Sequence, residues 1–385
     1  MQTLIRRLEP GETGAVRRMW EESFPEGGPR FTNWYFSRVY QRERTLGMFD
    51  GEELLSNLQM IPYPISLRDK PVLADTLSGV ATGTKHRNKG YARALMAEAL
   101  RDMAHRGVGF TFLYPFSHGF YERLGWATCS EALETLRPAA ELPDAPPVGG
   151  RVETVRQPAV SVLSGIYDTY MGGRNCRCLR EERHWTRRVE ETEANGGFIL
   201  IAYFGDRPAA YAMCEERPDP IELTELAYTR PEAVTAILAA LKPRGRAVLW
   251  TAPADDRARL LPGPWKDRVR LQPHVMFRVT SVKLAFEHAA PAFEGSFVIE
   301  VTGDNMAPEN NGVYRVTARD GVARAERTDD APEFSCDIGT LARVLTGFAD
   351  AGEAVGAGLV SGRPEISEMV NRMYPKRMNF LFELY

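Results

Sequence analysis

The sequence predicts an α/β protein with mixed sheets, built as two copies of one strand–helix order followed by a smaller α+β unit. Three observations predict it. A strand, a basic turn and a long helix follow one another at residues 77–107. After a proline- and glycine-rich stretch at 138–150, a fainter echo of the same order begins. From Ser281 the pattern changes to short strands separated by tight polar turns. At 385 residues the chain is long enough for two or three cores. The divisions expected are 1–145, 146–280 and 281–385.

In the first division, residues 2–8 read as a strand and 12–24 as a helix with Val16, Met19, Trp20 and Phe24 on one face. Residues 31–39 carry Phe31, Trp34, Tyr35 and Phe36 and predict a second helix whose rings are mostly core. Residues 44–49 and 54–62 flank an Asp50-Gly51 turn, and 72–82 return after Arg68-Asp69-Lys70. That gives three adjacent antiparallel strands. The last delivers into Arg87-Asn88-Lys89-Gly90-Tyr91-Ala92-Arg93, and a helix follows with Leu95, Met96, Ala99, Leu100 and Met103 at helical spacing. A glycine at the first turn, free helix N–H groups, the helix dipole and three cations make an anion site suited to a pyrophosphate. It is not a P-loop, since no Gly-Lys-Ser/Thr stands at the required spacing. A strand at 108–114 and the segment Pro115 to Trp126 complete the division, with Ser117 suited to cap a short helix.

The form Arg-x-x-Gly-x-Ala after a strand, filled by Arg87, Gly90 and Ala92, resembles the acetyl-CoA signature of the GNAT acetyltransferases. Phe120-Tyr121-x-x-Leu124-Gly125-Trp126 resembles the second hallmark of that family, and the two stand in the family's order. The resemblance implies that pantetheine pairs like an added strand on Val80, Ala81 and Thr82. It implies that residues Arg87, Asn88, Lys89, Gly90, Tyr91, Ala92 and Arg93 hold the pyrophosphate, with Phe116 and Ser117 also on the cofactor side. Tyr121 is then the general acid that returns a proton to the departing thiolate. A phenol of pKa ~10 can protonate a thiolate whose thiol has a pKa of ~8.5 at modest cost.

The second division repeats strands at 152–156, 198–204, 209–215, 221–228 and 247–251 with helices at 160–171, 181–189 and 231–241. Where the phosphate turn should recur the chain reads Tyr228-Thr229-Arg230-Pro231-Glu232: no glycine, one donor removed, one repelling carboxylate. This copy is expected not to bind CoA but to wall off an acceptor pocket. The third division, with helices at 282–288, 338–345 and 365–372 and strands at 295–301, 313–317 and 321–327, resembles a sterol-carrier-protein-like domain. Residues 379–385 alternate apolar side chains, which suggests an inserted strand, whereas termini usually fray.

GNAT, degenerate GNAT, sterol-carrier-like domain and aromatic end together resemble the Eis (enhanced intracellular survival) acetyltransferase family. The resemblance implies that the terminal carboxylate, here of Tyr385, enters the first domain's active site as general base. It also implies aminoglycoside or polyamine acceptors in an acidic, roomy cleft, and a homo-hexamer. The family often has an acidic residue next to last, where this chain has Leu384, with Glu383 one place earlier. Two other readings are a longer-chain acyl transfer, as in the tandem GNAT-like N-myristoyltransferases, and a non-catalytic CoA- or lipid-binding regulator.

Composition is that of an ordinary soluble protein, 44% hydrophobic and 26% charged. A net charge of −3 gives no reason to expect a nucleic-acid or anionic-membrane partner. Five scattered cysteines predict reduced thiols in a cytoplasm, and Cys176-Arg-Cys178 lacks a second pair at metal-ligand spacing, so no metal is expected. The first ten residues do not resemble a signal peptide, and no apolar run spans a bilayer.

Overall fold

The computed structural model describes residues 3–260 and 267–383. The first lobe runs β1 (Thr3–Arg7), α1 (Thr13–Ser23), α2 (Gly28–Arg38), β2 (Thr45–Asp50), β3 (Glu53–Leu67), β4 (Lys70–Thr82), α3 (Tyr91–His105), β5 (Phe110–Leu113), α4 (His118–Glu122), β6 (Ala127–Thr128) and β7 (Glu131–Arg137). The second runs β8 (Gly150–Val155), α5 (Val160–Met171), α6 (Glu182–Ala194), β9 (Phe198–Phe204), β10 (Arg207–Glu216), β11 (Ile221–Tyr228), α7 (Glu232–Leu241), β12 (Val248–Pro253), β13 (Arg268–Pro273) and β14 (Met276–Val279). The third runs α8 (Val282–His288), β15 (Gly295–Thr302), β16 (Gly312–Arg319), β17 (Val322–Arg327), β18 (Phe334–Asp337), α9 (Ile338–Thr346), α10 (Ala351–Gly356), β19 (Val360–Gly362) and α11 (Pro364–Met373).

The mixed-sheet, three-part architecture is as expected, but the sheets trade strands. The first is ordered β1-β2-β3-β4-β5-β14-β6 and the second β13-β7-β12-β11-β10-β9-β8. Sheet membership thus changes near residues 130 and 275, not at the proline-rich linker. Strand β14 inserts antiparallel between β5 and β6 because Phe277 and Val279 are as apolar as their neighbours Phe112 and Phe110. The third sheet is β17-β16-β15-β18-β19.

Burial explains the long strands. Residues 55–61 of β3 are buried without alternation, since helices cover both faces of the first sheet. On α3 the predicted stripe Leu95, Met96, Ala99, Leu100 and Met103 is wholly buried. The end of the chain enters the seam between lobes. Phe380 and Phe382 join the second lobe's core, while Leu381 between them joins the core shared by the first and third. That is strand-like alternation, but among the tail's described residues only Asn379 forms a bridge, parallel with Asn175.

Candidate active site

Strand β4 pairs with β5 in parallel only at Asp75–Thr111 and Thr76–Phe112. Beyond that point the strands part and no strand covers the β5-facing edge of residues 80–82, where the Thr82 carbonyl accepts from Arg87 Nε at 3.4 Å. A bulge accentuates the opening: Gly79 and Val80 together oppose Leu58 between the pairs Asn57–Ala81 and Gln59–Ser78. Gly79 stands at φ +56°, and a Cβ there would lie 2.5 Å from the Gln59 amide and 2.9 Å from the Trp20 ring.

The strand then feeds the anion turn. Arg87, Asn88, Lys89, Gly90 and Arg93 are exposed, Tyr91 and Ala92 half-buried. Asn88 and Gly90 take left-handed backbone, at φ +62° and +80°. The helical ladder of α3 starts with Ala94 N–H donating to Gly90 O at 3.0 Å, so earlier amides point out of the helix toward the open turn. The first turn carries no acidic residue. Amides, dipole and the Arg87, Lys89 and Arg93 cations therefore give the turn a positive potential suited to an anion.

Beyond β5, Tyr121 lies in α4, 5% exposed, its ring against Phe116, Phe120 and Trp126. Burial pushes its phenol up to about 12. Phe120 packs against the α3-side core. Ser117 stands at the cap position of α4, but its hydroxyl makes no capping bond, and the Phe116 ring is largely exposed. One turn before Tyr121, His118 begins α4 with a buried, unpartnered Nε2.

Tyr385 and Leu384 lie outside the described residues; the residues before them are firmly held. Asn379 Nδ2 donates to Cys129 O at 2.7 Å, and His274 Nε2 lies 3.3 Å from Leu381 O while its ring stacks on Phe380 at 5.1 Å. Glu383 faces neither solvent nor a free cleft: it is 3% exposed and paired with Arg180 at 2.7 Å. Arg180 also grips Glu225 through two bonds, and Tyr211 and Arg188 donate to the same carboxylate. Burial alone would raise the Glu225 pKa, but Arg180 and Arg188 outweigh it and hold the group down at about 2. Strand parity carried this signal. In β11, alternation puts Glu225 on the inner face with Ile221 and Leu223, so a buried cation had to meet it.

A cleft of about 760 Å³ separates the α1–α2 junction from α6 and the β10–β11 edge, with Phe382 in its wall. It is not acidic overall: Glu26, Glu191 and Glu215 are balanced by Arg30, Arg188 and Arg217. Among the described residues no cluster of potential metal ligands occurs, and no helix is long and apolar enough to cross a membrane. All five cysteines are buried free thiols.

Residues 4–129 match the family model of the acetyltransferase (GNAT) domain, and 282–381 that of the sterol carrier protein domain. The chain is 27% identical over 347 residues to the N-acetyltransferase Eis of Mycobacterium tuberculosis, covering 85% of this chain and 84% of that one. The chain is an acetyltransferase with a GNAT domain, similar over most of its length to the Eis N-acetyltransferases. Two solved structures share the fold over the full length of both chains. One is Eis1 from Mycobacterium abscessus, with TM-score 0.75 and 18% identity. The other is a probable N-acyltransferase from Enterococcus faecalis V583, with TM-score 0.83 and 19% identity. GNAT acetyltransferases draw their acyl group from acetyl-CoA, and the parted β4 edge and the basic turn carry backbone and cationic donors.

In the second lobe's copy of the turn, Pro231 stands at the cap of α7, Glu232 occupies its first turn, and Arg230 pairs with Glu232.

Proposed function

We propose that the chain transfers the acetyl group of acetyl-CoA to a primary amine of a polycationic small molecule, aminoglycoside- or polyamine-like, or of a lysine side chain. The amine nitrogen attacks the thioester carbonyl carbon directly, the C–S bond breaks, and the thiolate takes the Tyr121 hydroxyl proton. The proton lost from the attacking nitrogen goes to the α-carboxylate of Tyr385, directly or through water. A dry site raises the pKa of the phenol, and it raises the basicity of the departing thiolate as well, so proton return remains feasible.

The observation that carries this reading is the parting of β4 from β5 after Thr76, immediately upstream of the anion turn. A thioester arm laid on Val80 to Thr82 has its carbonyl beside backbone donors able to stabilise an oxyanion. Phe382 in the cleft wall supports a role for the chain's end. We further propose a cytoplasmic homo-hexamer; the buried thiols support the compartment.

The test is a screen for thiol release from acetyl-CoA with spermine, kanamycin and lysine peptides, with mass spectrometry of the products. Monoacetylated or multiply acetylated amines are expected. Absence of any acetylated amine, or retention of a long-chain acyl-CoA by the purified protein, contradicts the reading. Light scattering reports the assembly.

A further inference from the structure

We infer that Arg180 is a positioning residue: its one guanidinium grips Glu225 of the second lobe and Glu383 of the tail, setting where the chain's last residues lie. This rests on the reading that the chain's end accepts the amine proton. The geometry uses the whole fork. Nη1 and Nη2 donate to the two oxygens of Glu225 at 2.6 and 2.8 Å, and Nε donates to Glu383 Oε1 at 2.7 Å. The side chains of Arg180, Glu225 and Glu383 are 1%, 0% and 3% exposed. Rings of Tyr167 and Trp185 hold the guanidinium at 4.3 and 4.6 Å.

Why charge is used here follows from its cost. Buried ion pairs are poor stabilisers beside apolar packing, and the tail already buries Phe380, Leu381 and Phe382. Apolar contacts hold a segment but specify its register weakly. A slip by one residue would put Phe382 or Leu384 before Arg180, leave Nε unpaired in a dry site, and turn the two phenylalanines out of the second core. Only one register satisfies the fork. Glu225 needs no tail to be satisfied, because Tyr211 and Arg188 also donate to it. Its half of the clamp is therefore fixed in advance.

The position of Glu225 gives the second lobe a task. Strands β11 and β12 pair in parallel from Ile221–Val248 to Leu223–Trp250 and no further. Glu225 stands two residues past that parting, as Gly79 and Val80 stand past the parting of β4 and β5. Where the first lobe leaves backbone free for a thioester arm, the second has carboxylate and guanidinium, and these hold the chain's own end.

The test compares Glu383→Ala, Glu383→Gln and a chain lacking residues 384 and 385, in the otherwise full-length protein. Carboxypeptidase digestion reads the clamp without reference to catalysis. Kinetics use whichever of spermine, kanamycin or a lysine peptide turns over. Glu383→Ala should be trimmed about tenfold faster and lose about tenfold or more in kcat with KM for acetyl-CoA unchanged, since small misplacements of reacting groups cost that much. Glu383→Gln, whose carbonyl still accepts from Nε, should recover most of kcat; a merely structural role predicts no such split. Unchanged trimming of Glu383→Ala overturns the clamp. If the shortened chain loses activity while Glu383→Ala keeps kcat within about twofold, the positioning role fails and the tail's catalytic role stands. If the shortened chain keeps its kcat, the proton-acceptor reading itself fails.

Discussion

Arg278 and Asp304, both with fully buried side chains, are joined at 2.5 Å beneath the loop that carries Leu124-Gly125-Trp126. Arg278 Nη1 also donates to Leu124 O at 2.7 Å, and Asp304 Oδ1 accepts from the amides of Met306 and Ala307. A residue from the exchanged strand β14 thus fixes the segment that orients Tyr121, and a carboxylate from the third lobe fixes that residue. Gly125 is required by this packing: at φ +83°, a Cβ would lie 1.7 Å from Arg278 Nη1. Asp304→Asn should destabilise the protein by about 3 kcal/mol or more, because it leaves a guanidinium uncompensated. Denaturant unfolding measures it, and a loss under about 1 kcal/mol would contradict this role.

Tyr121→Phe tests the acid. It keeps the ring packing on Phe116 and Trp126, so acetyl-CoA binding by calorimetry should not change. The expected fall in kcat is on the order of a hundredfold. Unchanged turnover would remove Tyr121 from the mechanism.

The anion turn should act on binding alone. Replacing Arg87 and Lys89 together by glutamine should raise KM for acetyl-CoA about tenfold, with kcat nearly unaltered. Because both side chains are exposed, raising the salt concentration should shrink the difference between variant and parent. A kcat effect larger than the KM effect would show that the turn does more than hold phosphate.

His274 gives the fold a mildly acid-sensitive joint. Burial pushes its imidazole down to about 4, against the opposing pull of Leu381 O. Between the unfolded value near 6.5 and about 4, the unfolded chain binds a proton that the folded chain does not. Stability is therefore full above pH 6.5 and falls as the pH drops through that window, by about 2 kcal/mol between pH 7 and 5. Glu225 adds nothing there, since its depressed value acts from about 4.5 down to about 2. Urea midpoints at the two pH values measure the slope, and His274→Gln should flatten it; an equal slope in the variant would assign the effect elsewhere.

Most elements were legible because their apolar spacing is regular: α3, α5 and β9 to β11 fall where periodicity puts them. Strands β6, β7, β13, β14, β18 and β19 were missed, several because their local signal is contradicted or too short. Strand β14 carries Arg278 in the core, β13 is mostly exposed, and β6 has two residues. In each case a partner strand distant in the chain decides the outcome. At the site, the turn and Tyr121 were readable as motifs, since neighbouring residues make them. The Arg180 fork was not, because its partners lie 45 and 203 residues away. The balance of charge in the cleft was hidden for the same reason: Glu26 and Arg217, far apart in the chain, line the same cleft.

The exchange of β7 and β14 has a practical corollary. Severing the chain in the proline-rich linker would yield two fragments, each deprived of an interior ribbon that the other carries away. The first would lack the strand that joins β5 to β6, and the second the strand that joins β12 to β13. Neither lobe is a module that can be expressed, swapped or shuffled by itself, and the pair must fold and turn over as one indivisible body.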